Sequence, residues 1–337
     1  MPYAAWHRLL ALEFNPIFIN KKMKSKFYGL FLLMLSCLTV TSCGDKKKGN
    51  ANWMKEDDVN VAIDETFKPI MDEMVKTFAL QKPEANMKPQ YLSEDSCLRL
   101  LVRDSLRCCI VTRKLTDKEL AYIQGKSLGA KQALIATDAI ALIVNKANSD
   151  SLITLDEVKQ IVQGKITRWE QLKHHKRTGK IGMVFDNAGS STVRFMRDSL
   201  CDGKVLAGAV YGSEKGTNES VIEMVKQNPN IIGVVGTNWL KGNSDAPLAS
   251  FDSLDVNVMR VAKTEDGNFV RPFQYFIATG DYPLLRSVYI ITTDPRTQSL
   301  QKLFYFFVKG QKGQTIICNN SQLLPITPVQ VKSVSVD

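Results

Sequence analysis

Histidine is almost missing from this chain, at three residues in 337. His7 lies near the start, and His174 and His175 are adjacent, so their rings face apart. No histidine is placed to serve a Ser-His-Asp set, and no G-x-S-x-G elbow occurs. Gly164-Lys165 lacks the preceding glycine of a nucleotide-binding loop. The seven cysteines show no zinc-ligand spacing. No internal repeat is present, and low complexity is confined to one short polar tract. Long basic tails are absent too, so the net charge of +10 does not argue for nucleic acid. These gaps leave no evident catalytic, metal or cofactor chemistry. The expectation is a binder, not an enzyme.

An uncharged apolar run does exist. Phe27 to Val40 is about 14 residues, against the ~20 that a membrane-spanning helix needs. Lys24 and Lys26 precede it, and Val40-Thr41-Ser42-Cys43 closes it with small residues before a cysteine. That order reads as a lipoprotein signal over residues 23–42, cut before an acylated Cys43. Residues 1–22 precede a signal already complete from Met23 and are expected to be a mis-assigned start. Residues 43–58 are then a polar tether, with Lys46-Lys47-Lys48 beside lipid headgroups. The expected location is the periplasmic side of the envelope, on a membrane.

Five Lys/Arg and one Glu fall before Cys43, so the remainder carries +6, which suits attraction of anions. Cys97, Cys108, Cys109, Cys201 and Cys318 remain there, an odd set that leaves at least one free thiol.

Beyond the tether, strand and helix patterns alternate. Asn60 to Ile63 reads as a strand, Thr66 to Phe78 as an amphipathic helix, Ala85 to Leu92 as a strand and Glu94 to Asp104 as a helix. Arg107 to Thr112 is a β-run in which Cys108-Cys109 act as small hydrophobes. Asp117 to Gly125 is helical, and Gly129 to Asn145 is long, apolar and β-rich. The helix Leu155 to Val162 and the strand Ile181 to Phe185 follow, then the helices Val193 to Leu200 and Asn218 to Gln227. Ile231 to Val235 and Ser287 to Thr292 are strands, and Leu300 to Val308 is an apolar-faced helix. Such alternation argues for an α/β fold on a mostly parallel sheet, with ligands held in loops at the carboxyl ends of strands.

Several segments together carry a family resemblance. They are Asp138 to Asn145 (DAIALIVN), Leu155 to Leu172 (LDEVKQIVQGKITRWEQL), Asn230 to Val235 (NIIGVV), Tyr282 to Arg286 (YPLLR), and Gly313-Gln314 with Leu324-Pro325. In this order and spacing the chain resembles the periplasmic phosphate-binding proteins of ABC transporters, over about Val59 to Pro325. The resemblance implies a two-lobe type II periplasmic-binding-protein fold, each lobe a mostly parallel sheet flanked by helices, with a hinge of crossover strands. Lobe one would be 59–137 with 284–330, and lobe two 138–283. The implied partners are inorganic phosphate and an ABC permease, with the protein a monomer. A carrier of sulfate or molybdate, or a structural or sensory lipoprotein on the same fold, is the alternative.

The resemblance also nominates site residues. Ala188-Gly189-Ser190-Ser191-Thr192 opens a helix after a strand, where free N–H groups and the helix dipole favour an anion. The family reads Gly-Ser-Gly-Thr there, so Ser191 replaces a glycine. Thr66-Phe67 and Ser93 stand at the family's other two phosphate loops. An ordinary Ser/Thr helix cap is the competing explanation for each. Two charges look exchanged: Arg113 stands where the family has Asp, and Asp186 where it has Arg. Arg113 would donate to the anion while Asp186 accepts the proton of hydrogen phosphate. Alternatively the two pair with each other and leave the ligand untouched.

Overall fold

The structure, a computed structural model, describes residues 58–240 and 251–327. The signal, Cys43, the tether up to residue 57 and residues 328–330 lie outside the described residues. Strand β1 (Asp58–Asp64) runs parallel to β2 (Asn86–Leu92) and β3 (Cys108–Val111). β3 is buried at every residue, as its Cys-Cys-Ile-Val sequence requires. β2 lies at the sheet edge, where Pro89 removes no needed ladder donor. Helices α1 (Lys68–Gln81) and α2 (Glu94–Val102) make the crossovers. α3 (Asp117–Gly125) starts on a Thr116–Glu119 capping box.

The spine is β4 (Lys131–Asn145), 15 residues long. Its Lys131–Ala139 part pairs antiparallel with β11 (Leu285–Thr292), across a β-bulge at Val288/Tyr289. From Ile140 it pairs with β8 (Ile231–Gly236) instead. Between them lie β5 (Leu152–Thr154), α4 (Leu155–Val162), β6 (Gly182–Phe185), α5 (Ser191–Leu200), β7 (Val210–Gly212) and α6 (Asn218–Gln227). β6 runs parallel to both β7 and β8. β9 (Val256–Val258) and β12 (Leu324–Pro325) pair with β4, and β10 (Arg260–Ala262) pairs with β5 in a small second sheet. α7 (Gln274–Ala278), α8 (Leu300–Lys309) and α9 (Gln311–Asn320) complete the described residues.

The main sheet therefore runs β2-β1-β3-β11-β4-β8-β6-β7. It is parallel on both flanks and antiparallel at the centre, so β4 and β11 are crossover strands of an α/β fold. Its buried apolar residues fall into clusters that divide along β4. Val59 to Ala136 packs with Val288 to Leu323 on one side, and Ala139 to Leu284 forms the other. Two halves share one spine.

Two local differences from the sequence reading have clear causes. The helix expected from Thr66 begins as a 3-10 turn, Glu65–Phe67, and becomes α-helical at Lys68-Pro69, where proline favours a first turn. α9 was not expected, because its sequence is polar and carries Gly313. That glycine is required: a Cβ there would lie 2.3 Å from the Val308 carbonyl oxygen. Buried Gln314 then donates to Ile135 O at 3.0 Å and accepts from Ile326 N at 2.9 Å, tying α9 to β4. All five described cysteines are free thiols, and burial pushes Cys108 up to about 12.

Candidate functional site

β1 and β6 end facing one another across the molecule. β1 finishes at Asp64, whose Oδ1 accepts from Thr66 N at 3.1 Å and shapes the turn into α1. β6 finishes at Phe185. Asp186 and a short loop follow, and Ser190 caps α5 by accepting from Val193 N at 3.3 Å. Ser190, Ser191 and Thr192 are all buried. Thr66 Oγ1 and Ser191 Oγ come within 3.5 Å, joining the two sequence regions.

Arg286 of β11 stands at this junction. Its Nη1 donates to Ser191 Oγ at 2.8 Å, and its Nε donates to Asp138 Oδ2 at 2.9 Å. Arg286 and Asp138 are directly opposite on neighbouring strands. Nη2 lies 2.8 Å from the same carboxylate oxygen, yet its N–H bonds find no acceptor in line. The Arg286 guanidinium sits over the Phe67 ring, 5.4 Å from its centre. Asp138 Oδ1 accepts from Thr237 Oγ1 at 2.8 Å.

A second contact lies beside the first. Asp95 N, at the start of α2, donates to Gly189 O at 3.2 Å. A Cβ at Gly189 would stand 3.3 Å from Ser93 Oγ, so the loop approaches closely. Ser93 begins α2 without capping it, its hydroxyl donating to Ser96 Oγ at 2.9 Å. Next to it, Glu94 accepts from Thr112 N at 2.6 Å, Thr112 Oγ1 at 2.7 Å and Arg194 Nε at 2.5 Å. Arg194 belongs to α5, so this partly buried pair spans the two halves. Asn238 adds another tie, accepting from Ile70 N at 3.0 Å and donating to Thr66 O.

The junction is rich in buried acid: Asp64, Glu65, Glu94, Asp138 and Asp186, against the guanidiniums of Arg194 and Arg286. Burial is the largest single influence on four of them. It lifts Asp64 to about 7 and raises Glu65 and Asp186. Glu94 is also pushed up by burial, but the Arg194 charge and the Thr112 bonds outweigh this and hold it low. Asp186 Oδ1 accepts from Thr192 Oγ1 at 2.8 Å, and Glu65 Oε2 accepts from Asn218 Nδ2 at 2.7 Å. Asp64 Oδ2 is buried without a hydrogen bond of good geometry, and the Ser191 hydroxyl lies close enough to the carboxyl to oppose its rise.

Of the residues expected from sequence, Thr66, Phe67, Asp186, Ser190, Ser191 and Thr192 gather around Arg286 or Asp186, with Ser93 and Gly189 beside them. Arg113 does not join them. Its guanidinium forks onto Glu119, with both bonds at 2.8 Å, because the capping glutamate of α3 lies within reach. It makes no bond to Asp186, so the alternative in which these two side chains pair with each other is not seen. The arginine at the centre is Arg286. Its segment stood out in the sequence, but its opposition to Asp138 depends on a strand register that sequence does not supply. Among the described residues there is no His/Cys/Asp/Glu group suited to a metal, and no helix is long and apolar enough to cross a membrane.

Residues 49–311 match the model of a family described as the PBP superfamily domain. The chain is similar to the phosphate-binding protein PstS of Borreliella burgdorferi, 24% identical over 295 residues that span 86% of this chain and 95% of that protein. It is similar to the phosphate-binding protein PstS of Staphylococcus aureus (strain USA300) at 21% identity over 281 residues, 82% of this chain and 81% of that one. Among solved structures, it is similar to an ABC-type phosphate transport receptor from Vibrio cholerae. That likeness has a TM-score of 0.55 at 20% identity and covers 77% of this chain and 96% of the other.

Proposed function

This chain belongs to the PBP superfamily domain family, and from that premise we propose that it is a solute-binding protein that captures inorganic phosphate between two lobes for an ABC permease. The relatives named above supply the ligand class. The observation that carries the reading is the meeting of Thr66 and Ser191 on Arg286, whose Nη2 keeps donor capacity in a buried site. A tetrahedral oxyanion suits such donors, because guanidinium bonds to oxyanion oxygens are strong and directional.

In this reading lobe one is 59–137 with 284–330 and lobe two is 138–283, divisions that the separate apolar clusters support. The anion lies against Thr66, Phe67, Ser93, Gly189, Ser190, Ser191 and Thr192, with Arg286 as its principal cation. Glu94–Arg194 acts as a strap that forms when the lobes close. Arg113 stays at the margin and contributes field more than bonds. The protein works as a monomer, held by lipid on Cys43 at the periplasmic side of the envelope, and catalyses nothing.

Calorimetry with phosphate, sulfate and molybdate tests the reading directly. Phosphate should bind with closure, seen as a smaller radius of gyration in solution scattering. Tighter binding of sulfate or molybdate would move the assignment to another oxyanion carrier. Binding of none of them would leave a structural or sensory lipoprotein.

A further inference from the structure

We infer that the second half of the molecule carries a further ligand site, which takes a small amphipathic anion: a flat apolar body with a single anionic head. The site is an open trough of about 770 Å³ on the α6 side of the main sheet. Its charged end lies at the amino end of β6, whereas Asp186 follows the carboxyl end. The inference does not depend on which anion the Arg286 junction holds.

The trough exists because α6 covers β8 and leaves the sheet edge bare. Val225 and Val221 close onto Gly233 of β8, where an added Cβ would stand 2.6 and 3.0 Å from them. Beyond that contact lie β6 and then β7, the last strand of the sheet. Met224 and Gln227 of α6 form one wall, and Val184 and Ile231 give a buried apolar floor. Tyr211 of β7 extends that floor. A Cβ on Gly182 would meet Tyr211 Cε2 at 3.1 Å and Ile231 Cγ2 at 3.2 Å, so glycine lets the ring rest on the sheet. Tyr211 is nonetheless 53% exposed, and it offers open aromatic surface to a flat partner. Small-molecule sites commonly enclose about 300–1,000 Å³, with an apolar lining and a few polar groups that fix orientation.

The polar groups at the amino end of β6 are donors. Arg168 and Lys180 oppose each other in an isolated antiparallel bridge. Arg168 is shared with Glu170 at 2.6 Å, whereas Lys180 has no acidic partner among the described residues. Asn228 Oδ1 accepts from Asn230 N at 2.9 Å, and Asn230 Oδ1 accepts from Arg177 Nε at 2.7 Å. With both carbonyl oxygens engaged, the two amides have N–H bonds left to give. An ammonium and two amide donors on one rim suit an anionic head, because bonds to a charged acceptor are the stronger kind. Glu214, the one acid on the lining, follows β7 at its far end and opposes a second negative group there. The ligand therefore carries one head, and its body lies along Tyr211.

The probe that tests this is anilinonaphthalene sulfonate, an aromatic anion whose fluorescence rises in apolar surroundings, titrated into the whole protein. A single molecule should bind per chain. Neutral phenylnaphthylamine, the same body without the head, should bind at least tenfold more weakly, a comparison that needs no variant. Lys180→Glu should weaken the anion roughly tenfold or more, as expected for losing a charge-assisted bond. Ala209→Trp, at an exposed position on the lining, fills the trough with little demand on the fold and should abolish the signal. Thermal unfolding checks that both variants remain folded. Equal binding of the two probes, several probe molecules per chain, or an unaltered signal in folded variants would overturn the proposal. So would a chain that sediments as a dimer and becomes a monomer in Ala209→Trp, since the trough would then be a contact between two copies.

Discussion

Substituting Gly236→Ala should weaken capture while leaving the resting fold intact. Gly236 ends β8 in the second half, and Thr66 lies on the turn after β1 in the first. A Cβ on Gly236 would stand 2.4 Å from Thr66 Cγ2 and 3.4 Å from Arg286 Nη2. Ordinary carbon–carbon contact is about 3.5–4.0 Å, so the overlap exceeds roughly an ångström. Thr66 cannot swing away freely, since a β-branched side chain is stiff at χ1 and its hydroxyl faces Ser191. Overpacking of this kind costs about 1–3 kcal/mol. The strain arises where the halves meet, so parting them relieves it, and the cost falls on the closed state alone. Affinity should drop by roughly 5- to 150-fold, following about 1.4 kcal/mol per decade. Calorimetry measures the affinity, and thermal unfolding without ligand measures the fold. A variant that binds as tightly as wild type, or one whose melting temperature falls while its affinity holds, refutes the argument.

Arg286→Ala should weaken phosphate binding by at least one to two decades, and by leaving Asp138 buried without its partner it should also destabilise the protein by about 3–5 kcal/mol in chemical denaturation. The double variant Arg286→Ala/Asp138→Ala should recover much of that stability and none of the affinity; recovery of binding would deny Arg286 a direct role. Arg113→Ala should change affinity less than about threefold and stability by no more than about 1 kcal/mol, since its bidentate pair with Glu119 is partly exposed. The Arg113 bond and charge hold Glu119 at about 2, below its ordinary value, so the pair stabilises the fold above about pH 4.5 and this is lost as pH falls toward 2. Acid titrations of wild type and Arg113→Ala should therefore converge at the low end, and a gap that widens there would contradict the pairing. Intact mass of the native protein should show an acylated chain beginning at Cys43, and a mature chain starting elsewhere counts against the signal.

Most of the fold was legible because its elements carry strong local signals. α3 and α6 fall where periodicity put them, Asp117–Gly125 and Asn218–Gln227, each behind a threonine cap. α9 was hidden because its helix is held by Gln314 and by the fit of Gly313 against Val308, both long-range or close-packing effects. β7 is three residues on a sheet edge, too short for an alternating pattern to show. The site divides the same way. Gly189 to Thr192 could be nominated because a strand, a small-residue loop and a helix start are contiguous in the chain. Arg286, Asp138 and Asp64 come from three separate strands, and only pairing of those strands reveals them as neighbours.

The division of the apolar clusters along β4 also orders events during synthesis. The second half is one continuous stretch, from Ala139 to Leu284, and contains all of its own buried apolar residues. The first half is split between both ends of the chain: β1 and β3 cannot bury their faces until Val288, Phe304 and Leu323 have arrived. A chain that emerges from its amino end can therefore complete its middle before its beginning, because contacts distant in sequence must wait for loop closure. Until then the face of β1 that carries Val59, Val61 and Ile63 lacks its cover from Phe304 and Leu323, although β2 and β3 can already pair with it. On the proposed export of the chain, this delay in covering one face of β1 keeps the leading segment less firmly folded until the last strand and helices have been made.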